Sequence, residues 1–140
     1  MNAKLSEDID AVDWDRMALI FRRAPLGDRD AAGLRTVFEN SGVRCFAWDG
    51  RELVGAGRAI TDGVRYAVIF DVVLLPEYQG HGIGKKIITF LIERSQAANV
   101  LLHAVPGKEA FYQKFGFRKM KTAMGRFEHA ERQHEWGYIE

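Results

Sequence analysis

The chain has 140 residues, 47% of them hydrophobic, enough for one sizeable core and too few for two ordinary domains, so residues 1–140 are expected to form a single domain. Twenty basic against nineteen acidic residues leave a formal charge of +1, which provides no global field to draw the protein onto nucleic acid or an anionic membrane. The lone cysteine, Cys45, cannot form an internal disulfide, and neither a signal-type leader before Asp10 nor an apolar span of ~18 residues is present, so the expected setting is a reducing cytoplasm.

Leu5 to Ile9 is expected as a short first strand. Asp13 then caps a helix with Trp14, Met17, Ala18 and Phe21 at helical spacing, stopped near Pro25-Leu26-Gly27. Asp30 caps a second helix with Leu34, Val37 and Phe38 on its apolar face, ended by Asn40-Ser41-Gly42. Val43 to Trp48 and Leu53 to Ile60 read as strands joined at Asp49-Gly50, and Asp62-Gly63 repeats that turn signal before a strand from Tyr66 to Leu75. Cys45 lies within the first of these apolar runs and reads as a buried small hydrophobe rather than a nucleophile. A helix from Lys85 to Ala97 places Ile87, Ile88, Leu91 and Ile92 on one face. Val100 to Val105 is nearly all apolar and predicts a buried strand, parallel to Tyr66–Leu75 because a helix separates the two. Lys108 to Phe115 is expected as a short helix, Arg118 to Phe127 as a last strand, and Glu128 to Glu140 as a charged, helical tail.

The stretch richest in chemistry is Gln79-Gly80-His81-Gly82-Ile83-Gly84, where a strand hands over to a helix. Alternate glycines there let the backbone approach a large anionic ligand with amide N–H groups pointing at it, although a plain tight connection would read the same way. A dinucleotide fingerprint needs a third glycine that falls instead on Lys85 or Ile87, and a P-loop needs Lys followed by Ser or Thr, whereas Gly84-Lys85 is followed by Lys86. Both spacings fail.

Gln79, Gly82 and Gly84 fill a different pattern, and the run Asp71-Val72-Val73-Leu74-Leu75-Pro76-Glu77-Tyr78 before it and Phe111-Tyr112-Gln113-Lys114-Phe115-Gly116-Phe117 after it extend the match over roughly Cys45 to Phe127. In these motifs the chain resembles the GCN5-related N-acetyltransferases. The resemblance implies an α/β (α+β) fold with a mixed, mostly antiparallel central sheet. That sheet splays open between the fourth strand, ending at Leu75, and the fifth, starting at Val100. It implies an acetyl-CoA-dependent transfer of an acetyl group to a primary amine, by direct attack within a ternary complex.

Carried over residue by residue, the resemblance implies that the backbones of Val72, Val73 and Leu74 hold the pantetheine arm and the acetyl carbonyl. The amides of Gln79, Gly80, His81, Gly82, Ile83 and Gly84 would hold the pyrophosphate. Lys85 adds charge at a helix start where a cation is disfavoured unless an anion is present. Lys108 stands where the family commonly has an Asn, and Phe111 completes the cofactor set. Tyr112 matches the tyrosine that protonates the departing sulfur, its hydroxyl having an ordinary pKa near ~10. Asp71 is the first candidate for the general base and Glu109 the second, with a water chain as the alternative to both. His81 has no His or Cys partner spaced for a metal, and no metal is expected. Trp14, Phe21, Trp48, Met124 and Phe127 are candidates for an acceptor pocket, or simply core. The acceptor class stays open. Two other readings also stand: an acyl-CoA-binding regulatory module without turnover, and an acetyltransferase acting on protein lysines or N-termini. Pairing of exposed late strands would make a homodimer.

Overall fold

Short polar side chains punctuate the chain as their chemistry dictates. In the computed structural model, which describes residues 2–140, the Asp13 carboxylate accepts from the Asp15 and Arg16 amides at the start of α1 (Trp14–Arg23), and Asp30 accepts from Gly33 at the start of α2 (Ala31–Glu39). The Asp62 carboxylate accepts from the amides of Val64, Arg65 and Tyr66 and so closes the turn between β3 (Glu52–Thr61) and β4 (Tyr66–Leu74). Those three donors hold its carboxyl below the usual range. The chain divides into two compact units, one ending at Leu102 and one running from His103 to Glu140.

The first unit is built on a five-stranded sheet in the order β1-β2-β3-β4-β5, with β1 at Lys4–Ser6, β2 at Val43–Asp49 and β5 at Asn99–Leu101. The first four strands pair antiparallel; β4 and β5 pair parallel. Successive side chains leave a strand on opposite faces, which sorts the helices. Phe46 of β2 packs with Trp14 of α1 and Phe38 of α2, ring centroids 6.2 and 5.5 Å away, and sits opposite Ala56 in register. Gly55 and Gly57, which flank Ala56, face the other way, toward α3 (Ile83–Ser95). A Cβ on Gly57 would stand 2.9 Å from Ile87 Cγ2 and 2.9 Å from Leu91 Cδ1. The missing side chain is what lets α3 lie close against the sheet. Ile83, Ile87, Ile88 and Leu91 are buried on that face; Met17, Ile20, Phe21, Leu34, Phe38 and Phe46 fill the other. Cys45 is fully buried, and burial first, then the Glu7 charge, push its thiol up to about 12, so it packs as a small hydrophobe.

Several expected boundaries move, each for a local reason. The first strand stops at Ser6 because its hydroxyl accepts from the Asp8 amide and Asp8 in turn from Asp10, turns that compete with a sheet ladder. The helix expected from Lys85 starts two residues earlier, at Ile83, since Gly82 takes the left-handed cap position. The strand expected as buried over Val100 to Val105 is shorter, Asn99–Leu101, and half-buried at best, because it lies at the sheet edge and pairs on one side only.

The second unit carries α4 (Glu109–Gln113) and α5 (Ala130–Glu135), the latter within the tail expected to be helical. The last strand expected over Arg118 to Phe127 is absent: the segment is irregular and largely exposed, with Met120 and Met124 in solvent. Its alternation, Arg118-Met120-Thr122-Met124-Arg126 on one side, offers no apolar face to bury. Of the late strands expected to pair in a homodimer, β5 alone is formed among the described residues, at the sheet edge.

Candidate functional site

The turn that carries the glycines begins with a 3-10 turn at Pro76–Tyr78 and is fastened on three sides. Glu77 takes a two-pronged ion pair from Arg23 of α1, at 2.9 and 2.8 Å, and that guanidinium draws its carboxyl below the usual range. The Tyr78 hydroxyl donates to Asp49 Oδ2 at 2.7 Å, a bond to the protonated phenol that raises its pKa. Gln79 Nε2 donates to the Leu74 carbonyl at 3.0 Å. Its side chain is thus spent on the strand end and its amide N–H on the Pro76 carbonyl at 3.1 Å, so the outward donors expected from Gln79 onward begin at Gly80.

Gly80 and Gly82 both lie at positive φ, +81° and +82°, where a side chain is strained. A Cβ added to either meets nothing within 4 Å. The glycines therefore serve the turn's path, and the space above them is open. Gly82 caps α3 without any side-chain acceptor, so the amides of the first helical turn point outward with the positive end of the helix dipole behind them. His81, Lys85 and Lys86 are exposed, and among the described residues neither lysine forms an ion pair. Gly82, Lys85, Lys86, Thr89, Phe90 and Glu93 of α3 and its cap line a shallow depression with Leu5 of β1, so an acid stands at its far end from the two lysines. Amide donors, an uncompensated dipole and two free cations are the donor set a pyrophosphate requires.

Beside this cradle the sheet opens. β5 meets β4 only at Tyr66, Ala67 and Val68, so from Ile69 to Leu74 no strand lies on that side of β4 among the described residues. Val72, Val73 and Leu74, expected to offer their backbones, lie along this open edge; Val73 and Leu74 side chains are buried. Apart from the Leu74 carbonyl, which Gln79 Nε2 already occupies, main-chain groups facing an edge without a strand partner suit a ligand arm built from amides. Asp71 stands at the centre of the edge in a left-handed conformation, φ +56°, at an irregularity where Asp71 and Val72 together oppose Gly57. Its Oδ1 accepts from Arg29 at 3.2 Å and its Oδ2 from Arg58 at 2.7 Å. Arg58 also reaches the buried Ser41 hydroxyl at 3.2 Å.

In the second unit, Tyr112 lies on α4 in a ring cluster, 5.1 Å from Phe111 and 6.1 Å from Phe117, with Phe115 5.4 Å from Phe111. Burial, with a smaller effect from Tyr138, pushes its hydroxyl above the ordinary value. Lys108 is exposed at the cap position of α4, and Glu109 follows it. The Glu109 carboxylate accepts from the Gly107 amide at 3.1 Å, and this bond holds it below the usual range. Of the residues considered for an acceptor pocket, Phe21 is fully buried and Trp14 packs against Phe38 and Phe46, so both belong to the core, while Met124 is 96% exposed.

Reading the sequence missed the arginines on Asp71. The available signal was Arg58 inside the apolar run Leu53–Ile60, across from Asp71 inside another: opposite charges in apolar strands pair or are not tolerated. Arg29, in the connection between α1 and α2, gives no such signal.

Residues 41–119 match the family model described as an acetyltransferase (GNAT) domain. The chain is 41% identical over 71 residues to "Uncharacterized N-acetyltransferase ycf52" of Pyropia yezoensis, across 49% of this chain and 41% of that one. It is 33% identical over 120 residues to "GCN5-related N-acetyltransferase 2, chloroplastic" of Arabidopsis thaliana, across 77% of this chain and 46% of that one. The chain spans about half the length of the curated relatives it matches. Among solved structures, a probable acetyltransferase of meticillin-resistant Staphylococcus aureus superposes with a TM-score of 0.78 at 22% identity, covering 90% of this chain and 98% of that one, a likeness of fold.

Proposed function

The chain belongs to the GNAT acetyltransferase family, and from that premise we propose that it transfers an acetyl group from acetyl-CoA to a primary amine by direct attack in a ternary complex. The observation that carries this reading is the open edge of β4 from Ile69 to Leu74, which runs toward a glycine turn with outward-facing amides and two unpaired lysines.

Acetyl-CoA would supply an acetyl group activated as a thioester. The backbones of Val72, Val73 and Leu74 bind and orient its amide-bearing arm, and the amides from Gly80 to Gly84, with Lys85, neutralise its pyrophosphate, while Gln79 fastens the turn to the strand end. Lys108 and Phe111 complete the binding set, and His81 borders the phosphates. Tyr112 keeps its proton at neutral pH, which the upward shift of its hydroxyl supports, and gives it to the departing sulfur. The two carboxylates considered as base are already engaged, Asp71 by two arginines and Glu109 by the Gly107 amide. This supports proton removal from the acceptor ammonium through water. The buried, unpaired Cys45 supports a reducing compartment such as the cytoplasm. Among the described residues, no helix is long and apolar enough to cross a membrane.

The test is acetylation of a panel of small amines and lysine peptides, with Tyr112→Phe in parallel. Product formation that depends on acetyl-CoA and falls in the variant supports the reading. Tight acetyl-CoA binding with no product from any acceptor rejects it.

A further inference from the structure

On the acetyl-transfer reading above, we infer that Asp71 is a positioning residue: clamped between Arg29 and Arg58, it fixes the left-handed bulge of β4 that sets the direction of the Val72 and Val73 main chain along the open edge.

Phe70 pairs with Arg58 and Ile69 with Ala59, so by the strand's period of two Asp71 would fall on the face of Ile69, where α3 packs with Ile87 and Leu91. Ile87 and Leu91 offer a carboxylate no hydrogen-bond donor. The bulge inserts one extra residue: Val73 pairs with Ala56 and Leu74 with Gly55, leaving Asp71 and Val72 opposite Gly57 alone. Val72 then takes the α3 face, its Cγ2 3.5 Å from where a Gly57 Cβ would stand. Asp71 is freed toward the other face, that of Arg58 and of the α1–α2 connection that carries Arg29.

A left-handed aspartate is uncommon and needs its surroundings to hold it. Here both carboxylate oxygens are held, one by each arginine, and the side chains of Asp71 and Arg58 are each only 13% exposed. The clamp draws on three places in the fold. Arg58 comes from β3, stacks over Phe70 at 5.0 Å and reaches Ser41 after α2; Arg29, 32% exposed, lies 5.2 Å from the Phe21 ring of α1. With an arginine on each oxygen, the carboxylate is occupied on both sides and has no oxygen left facing an acceptor amine.

The discriminating variants are Asp71→Gly, Asp71→Ala, Arg58→Gln and Arg29→Gln, each measured for kcat, for KM toward both substrates and for the acid limb of the kcat/KM profile. Glycine loses the carboxylate and keeps access to the left-handed backbone; alanine loses both. A positioning role predicts that Asp71→Gly retains about tenfold more kcat than Asp71→Ala, about 1.4 kcal/mol by conversion. It also predicts that the two arginine variants raise KM for acetyl-CoA while the acid limb stays where it is in wild type. Equal losses in glycine and alanine, with the acid limb abolished in both, would overturn the inference and make Asp71 the base. Should alanine fail to fold, the arginine variants and the glycine pH profile still decide. Wild-type protein that acetylates no acceptor is a failure of the functional reading instead; acetyl-CoA affinity, ordered wild type, then Gly, then Ala, then supports the bulge inference, and equal affinity in the two variants overturns it.

Discussion

Replacing Gly82 by alanine separates the turn's shape from what the turn holds. Nothing in the protein lies within 4 Å of the added Cβ, so no steric clash is created. The whole cost to the free protein is that of an L-residue at φ +82°, about 1–2 kcal/mol. The free energy of unfolding should fall by that amount, read as a lower denaturant midpoint with the slope unchanged, because α3 and its packing on the sheet are untouched. Affinity for acetyl-CoA should fall further, by at least about tenfold or 1.4 kcal/mol, since the methyl stands in the space above the amides that face the pyrophosphate. Calorimetric titration of both proteins, beside urea melts without ligand, reads the two quantities separately. Unchanged affinity together with the full stability loss would show that the turn is only a connection and would refute the cradle.

Gly57→Ala should behave in the opposite way: its Cβ would crowd Ile87 Cγ2 and Leu91 Cδ1 at 2.9 Å, costing about 1–3 kcal/mol of stability in urea melts while acetyl-CoA affinity is retained. Tyr112→Phe should lower kcat by about 10²–10⁴-fold with little change in KM for acetyl-CoA, measured by steady-state thiol release. Because burial raises the Tyr112 hydroxyl, the neutral form is the one favoured on folding. Its contribution to stability is present below the ordinary tyrosine value of ~10 and lost as pH rises through the higher folded value, and the alkaline fall of wild-type kcat should lie above ~10 and be missing in the variant. Cys45, its thiol pushed up to about 12 by burial, should resist alkylation at pH 8 in the native state and react once the chain is unfolded in urea.

What was legible in the sequence follows from how local the cause is. The caps at Asp13 and Asp30, the turns at Asp49-Gly50 and Asp62-Gly63 and the apolar stripe of α3 are each set by residues within one or two turns of one another, and all stand where they were expected. The glycine turn was readable because a left-handed backbone strongly favours glycine, and two such positions fall close together at Gly80 and Gly82. The last strand does not form because Arg118 to Phe127 lacks an apolar face, a local mark that the expectation of a final strand passed over. The clamp on Asp71 depends on contacts 13 and 42 residues away in sequence and on a one-residue bulge, neither of which a periodicity of two can reveal.

The central claim is that this chain moves acetyl groups. It is tested most directly by incubating the protein with acetyl-CoA and a panel of primary amines, following free CoA thiol and acetylated product together. The account predicts thiol release that requires both protein and amine, matched by product and strongly reduced in Tyr112→Phe. Saturable acetyl-CoA binding with no product from any small amine or peptide, and no difference between wild type and Tyr112→Phe, would contradict it.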